Sequence, residues 1–119
     1  MSSFTRTTDP ATETVCGIWR GYYGTEREIN SITIKIYPQN KAEIIYNYND
    51  VPLKTTATYK LIGDSAIVIS CTLTEQKSSV VILQGNLNRA SSFIDGQWDS
   101  EGKQGGCFYL QKQFVQVNL

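Results

Sequence analysis

Ser31-Ile32-Thr33-Ile34-Lys35-Ile36 alternates polar and apolar residues without a break. Successive side chains of a β-strand point to opposite faces, so Ile32, Ile34 and Ile36 share one face and Ser31, Thr33 and Lys35 the other. Such a stretch is a strand with one buried side and one wet side. Outward from it in both directions the same kind of run recurs, separated by turn residues. The runs are Cys16–Gly24, Ser31–Pro38, Ala42–Asn49, Lys54–Ile62, Ser65–Thr74, Ser79–Asn86, Ser92–Trp98 and Gly106–Val115. Between them lie Gly24-Thr25-Glu26, Pro38-Gln39-Asn40, Asn49-Asp50-Val51-Pro52, Gly63-Asp64 and similar clusters, where Gly and Asn accept positive φ and Pro presets φ.

Strand plus turn repeats about every 12 residues, the spacing of an all-β sandwich or barrel. Connections this short join antiparallel neighbours. The pattern therefore predicts an eight-stranded antiparallel up-and-down β-barrel spanning 15–119 as a single domain, preceded by a flexible tail over 1–14. No helical periodicity, internal repeat or second domain interrupts it. Parity places Trp19 and Tyr23, Ile44, Tyr46 and Tyr48, Ala57, Tyr59 and Leu61 inside with the strand 2 isoleucines. It continues through Ile67, Ile69 and Cys71, Val81 and Leu83, Ile94 and Trp98, to Phe108, Leu110 and Phe114.

Composition narrows the function. The chain has 119 residues, 40% hydrophobic and 18% charged, with 11 basic against 11 acidic side chains. Those proportions fit one folded domain with one core. No basic cluster provides a nucleic-acid footprint or an attraction to anionic membranes, so neither partner is expected. No signal-like or membrane-spanning apolar run is present, which points to the cytoplasm. The chain has no histidine and three cysteines. The first fact removes the commonest general base and metal ligand, so no catalytic residue, metal or cofactor is expected. The second leaves an odd thiol count. Cys16 and Cys107 open the first and last strands, which run in opposite directions, so they would lie too far apart to bridge.

At Gly17-Ile18-Trp19, with Gly105-Gly106-Cys107-Phe108-Tyr109-Leu110 closing the meander, the chain resembles the calycin group of lipocalins, fatty-acid-binding proteins and avidins. It is most similar to a bacterial lipocalin-like class of unassigned role. The resemblance implies a structural signature of Gly17, Trp19 and Lys112, with the last-strand cation packed across the first-strand indole. Avidin-like biotin sites use several tryptophans, and Trp19 and Trp98 are the only two here, so biotin is not the expected ligand.

Four candidate sites stand out. Tyr23, Tyr48 and Trp98 fall toward one end of the barrel, with Phe108 close by and Tyr46 and Tyr59 deeper, an aromatic mouth suited to a small, largely apolar ligand. The bland alternative is that these rings simply fill a narrow barrel. Arg20, Glu26, Arg27 and Glu28 form a charged hairpin tip, and Asp95, Gln97, Asp99 and Glu101 a polar strand and turn. Both are expected to be solvated surface. Gly102-Lys103-Gln104-Gly105-Gly106 resembles a phosphate loop, but a strand follows it instead of a helix, so it is read as a hairpin loop.

Strands 5 and 6 are apolar on both faces. A lone barrel would leave Val68, Val80 and Ile82 outside, which predicts a homodimer interface unless the tail covers them, anchored by Phe4. The sequence thus supports a non-catalytic binding barrel. The alternative is an interaction module, of inhibitor or immunity type, that works through its outer face.

Overall fold

A computed structural model describes residues 15–24, 28–48, 50–73, 79–100 and 103–114. They form eight strands: β1 (Gly17–Gly24), β2 (Ile29–Tyr37), β3 (Lys41–Tyr48), β4 (Val51–Ile62), β5 (Ala66–Leu73), β6 (Ser79–Leu87), β7 (Phe93–Ser100) and β8 (Lys103–Gln113). Each pairs antiparallel with the next, and β8 returns to pair with β1, so the sheet closes in sequence order. Closure leaves no sheet edge unpaired overall.

The alternation drives the packing. Val15, Trp19, Ile34, Ile67, Ile69, Ile94 and Leu110 are fully buried, and Ile32, Ile36, Ile44, Tyr46, Tyr59, Leu83 and Phe108 nearly so. No polar or charged residue is buried among the described residues. The wall is apolar within and largely polar without, the reverse of the outward apolar band of a membrane-spanning barrel. Among the described residues no helix is long and apolar enough to cross a membrane.

Two elements, β4 and β8, depart most from the expected boundaries. β4 begins at Val51 rather than Lys54 and takes in Pro52, which stands opposite Asn47 of β3. Among the described residues the β4–β5 ladder starts at Ala57, and no described residue of β5 pairs with Pro52. A side-chain bond from Thr55 Oγ1 to the Thr72 carbonyl, at 3.2 Å, ties the strands beyond the ladder.

β8 begins at Lys103, so residues 103–106 of the expected glycine hairpin loop are strand. Ser100 pairs with Lys103 and Asp99 with Gln104, but Trp98 pairs with Gly106. Gly105 is the extra residue of a β-bulge, a local bend that re-aims a neighbouring side chain. Phe114, expected inside, is 74% exposed because β8 ends at Gln113 and parity lapses there.

Glycines on the inner face let the sheet bend. Gly21 faces Ile32 and Leu110 across its two ladders, and Gly96 faces Gly85 and Phe108. A Cβ on Gly21 would overlap the Tyr109 carbonyl oxygen and stand 2.9 Å from the Leu110 Cα. One on Gly85 would come 2.6 Å from Ile94 Cγ2 and 3.0 Å from Phe108 Cζ. Neighbouring strands approach so closely here that only glycine fits, as strongly coiled barrels require.

One end of the barrel is closed by its own chain. The Trp19 indole N–H donates to the Val15 carbonyl at 2.8 Å, and Lys112 Nζ lies 5.9 Å from the Trp19 ring centroid. Trp19 and Lys112 are direct cross-strand partners. Lys112 thus stands across the first-strand indole. Gly17, at φ 139°, leaves it room: a Cβ there would meet Lys112 Cε at 3.1 Å. Cys16 lies at this end of β1 and Cys107 opposite Gly24 at the other. Cys71 and Cys107 are free thiols.

Candidate functional site

At the far end, where β1 and β7 finish and β2 and β8 begin, a cavity of about 90 Å³ opens among Tyr23, Ile32, Ile44, Tyr46, Cys71, Val81, Leu83, Trp98 and Ser100. Six of the eight strands line it, none of them with a charged side chain, and its deeper wall is aliphatic. Tyr23 and Trp98 pack edge to face across its rim, with ring centroids 5.8 Å apart and planes at 83°.

Each rim ring is tied by its polar edge. Trp98 Nε1 donates to the Gly24 carbonyl at 3.2 Å, and the Tyr23 hydroxyl donates a long 3.5 Å bond to the Asn47 carbonyl. Gly105 sets the pose of Trp98: a Cβ on it would come 2.6 Å from the indole Cδ2. The bulge thus provides a bare stretch of backbone against which the indole lies flat.

Tyr46 differs from the rim. Its hydroxyl is buried and has no hydrogen-bond partner among the described residues. An unpaired buried hydroxyl costs on the order of 1–3 kcal/mol. A water would relieve it only with two to four polar partners nearby, roughly the number buried waters use, and this aliphatic wall offers few.

Of the residues read from sequence, Tyr23, Tyr46 and Trp98 come together around this cavity. Tyr59 and Phe108 do not line it. Tyr59 sits toward the opposite end, where its hydroxyl donates to the Tyr37 carbonyl at 2.7 Å. Phe108 is buried where Gly85 and Gly96 leave room for its ring, as core filling. Tyr48 ends β3, and its side chain lies outside the described residues. Gly105, Cys71 and Ser100 are additions. Cys71 reads from sequence as a core residue, Ser100 falls beyond the expected end of β7, and Gly105 looks like loop.

The other candidates stay on the surface. Arg20 and Glu28 are exposed, as are Asp95 and Gln97, and Asp99 is half-buried. Glu26, Arg27 and Glu101 lie outside the described residues. Val68, Val80 and Ile82 point outward, with Val80 exposed and the other two half-buried. Their cross-strand neighbours are Gln84 and Lys60, Thr72, and Ser70 and Asp99, so polar side chains interrupt the patch. Among the described residues no three acidic, Cys or His side chains are grouped to hold a metal ion.

Electrostatics keep the mouth neutral. Desolvation pushes the Cys71 thiol up to about 11, and burial, aided by the Glu28 charge, raises Tyr23 above its usual value. Cys71 is thus a protonated thiol near neutral pH and a poor nucleophile. Iodoacetamide at pH 8 is expected to alkylate exposed Cys107 and spare Cys71 until the protein unfolds, as read by peptide mass mapping. Equal rates at the two thiols would mean that the mouth is open to solvent.

The raised value also carries a stability consequence. The unfolded thiol loses its proton near 9.0 while the folded one keeps it to about 11. Its contribution is therefore intact below pH 9 and is lost as pH rises from 9 toward 11. Urea titrations should show C71A losing stability less steeply than the parent across that window.

Comparison with known proteins places the fold. No family model matches the chain, and no curated protein matches it. Among solved structures, a redesigned β-barrel superposes with a TM-score of 0.73 at 11% identity, over 92% of this chain and all of that one. The class defined by fold and closure is a small eight-stranded up-and-down β-barrel.

Proposed function

We propose that this protein is a non-catalytic binding barrel that holds a small, largely apolar molecule in the mouth formed by Tyr23, Tyr46 and Trp98. One observation carries the reading: a cavity of about 90 Å³ with an aliphatic wall, rimmed by the Tyr23–Trp98 ring pair. Apolar pockets with a few convergent polar groups are the usual form of small-molecule sites. The Trp19–Lys112 packing, with its 5.9 Å separation, supports the calycin-like reading of the barrel. A chain without histidine, whose mouth thiol stays protonated, has little with which to perform acid–base or nucleophilic chemistry. Native mass spectrometry of gently purified protein, followed by denaturation, tests the reading. Release of a small organic mass supports it. Bare protein, with no NMR response of the cavity methyls to a panel of small apolar compounds, removes it.

A second reading is an interaction module that uses the outer wall. Tyr22 and Tyr109 are cross-strand partners with ring centroids 5.8 Å apart, and both are exposed. Phe93, also exposed, lies on the same outward face of β7, one pair along from Asp95, the partner of Tyr109. Phe93 stands opposite Gln111, so the ring contact on this face is that of Tyr22 with Tyr109. Sedimentation velocity over a micromolar series tests self-association. If dimers form, Tyr109→Lys and Val80→Lys identify the face used, and a monomer throughout removes this form of the reading.

A further inference from the structure

We infer that Gly105 is a positioning residue of the ligand site: its bare backbone seats the Trp98 indole against the barrel wall, and that seat sets the size of apolar molecule the cavity takes. The inference rests on the binding reading above and names what limits the ligand in that same site.

The indole is held from three sides. It belongs to β7, yet its Nε1 donates to the Gly24 carbonyl of β1 at 3.2 Å, so the ring reaches across the start of β8, which pairs with both strands. The Tyr23 ring stands edge to face with it, the centroids 5.8 Å apart. Beneath it lies the bulge of β8. A Cβ on Gly105 would stand 2.4 Å from the indole Cε3 and Cζ3 and 2.6 Å from Cδ2. Trp98 lines the cavity and Gly105 does not, so the ring stands between the glycine and the space that a ligand would occupy.

The ring, not the backbone, requires glycine at this position. Gly17 and Gly63 are the described glycines with positive φ, and Gly105 is not one of them. An alanine therefore suits the path of the chain but not the seated indole. Carbon atoms pack at about 3.5–4.0 Å, so the ring would have to leave the wall by about 1 Å. An indole is rigid and moves as a whole, here toward the cavity, with its N–H drawn off the Gly24 carbonyl. The cavity, at about 90 Å³, has little space to give up, since benzene alone fills an engineered cavity of about 150 Å³.

Cyclopentane and toluene are the probes, with binding read by chemical shifts of the Ile44 and Leu83 methyls. The indole N–H resonance of Trp98 reports its seat, and that of Trp19, bonded to the Val15 carbonyl at the closed end, is the reference. The parent is expected to bind cyclopentane about tenfold more tightly than the larger toluene, the scale of a small overpacking. Gly105→Ala should weaken cyclopentane binding about tenfold for the same reason and move the Trp98 resonance while that of Trp19 stays. Trp98→Leu removes the ring and should turn the preference toward toluene, which buries more apolar surface. Gly105→Ala combined with Trp98→Leu should match Trp98→Leu alone, because no ring remains to be displaced. If Gly105→Ala by itself does not fold, the combined variant should regain the fold. Gly105→Ala that leaves either the affinity or the Trp98 resonance unchanged would overturn the inference and leave the binding reading standing. Equal binding of the two compounds by the parent would do the same, as would a combined variant that is unfolded or binds more weakly than Trp98→Leu. Failure of both compounds to bind the parent and Trp98→Leu at millimolar concentration would remove both readings.

Discussion

Alanine at Gly96 is expected to prevent the barrel from closing. Its Cβ would overlap the Gln84 carbonyl oxygen and stand 2.6 Å from the Gly85 Cα and 2.8 Å from the Gln84 carbonyl carbon. All three are backbone atoms of the neighbouring strand, so no rotamer change relieves the clash. The β6–β7 ladder would have to separate at Gly85–Gly96, with Ile94 and Trp98 shifting on either side of it. Overpacking a core by a methylene costs about 1–3 kcal/mol when side chains absorb it. A backbone clash inside a ladder should exceed that range, against a total stability of about 5–15 kcal/mol. Gly96→Ala is therefore expected to be insoluble or to lack near-ultraviolet circular dichroism at 25 °C. Gly63→Ala is the control. Gly63 has φ 64° and nothing within 4 Å of its added Cβ, so it should cost only about 1 kcal/mol from the left-handed backbone. If Gly96→Ala melts as Gly63→Ala does, the strands are free to spread and the coiling argument is wrong.

The same glycines show what a sequence does and does not disclose. Strand number, order and facing were legible because period two is a local property. The isoleucines of β2 alone establish which face is inner, and parity carries that choice around the barrel. Pro52 and Gly105 misled for a common reason. Proline and glycine are read as turn formers from their own backbone preferences. Whether a ladder accepts them depends on strands distant in sequence. Pro52 stands in the β3–β4 ladder opposite Asn47 with no described β5 residue paired to it, and Gly105 is the extra residue of a bulge beneath an indole.

The mouth was legible in part for the same reason. Parity and strand direction bring Tyr23, Tyr46 and Trp98 to one end, but parity does not say how far a ring reaches along the axis. Tyr59 and Phe108 share the inner face without reaching the cavity. The unpaired state of the Tyr46 hydroxyl is a statement about every neighbour at once, so no local pattern encodes it. The outer Tyr22–Tyr109 pair was likewise hidden, because two outward aromatics become neighbours only once the β1–β8 register is known.

At the opposite end, Trp19→Ala is expected to cost about 3–5 kcal/mol, the range for removing a large buried side chain, and to bring the protein close to unfolding at 37 °C. Trp19 is fully buried, and three separate contacts depend on it. It fills the closed end of the core, its N–H holds the Val15 carbonyl at 2.8 Å, and it carries Lys112 at 5.9 Å. Graded variants separate these roles. Trp19→Phe keeps most of the ring but strands the carbonyl of Val15, itself fully buried, at a cost of about 1–3 kcal/mol. Lys112→Met keeps the aliphatic stem and removes the charge, so its loss includes the cation–π contribution, about 0.5–2 kcal/mol. Urea unfolding should therefore rank Trp19→Ala as most damaging, then Trp19→Phe, then Lys112→Met. A Trp19→Phe variant as stable as the parent would show that the bond to Val15 is dispensable. A loss under about 2 kcal/mol for Trp19→Ala, below the range for large-to-small core changes, would mean that this end of the barrel collapses onto the gap. In that case the stability of the fold resides in the ladders and the inner glycines rather than in the plug beneath them.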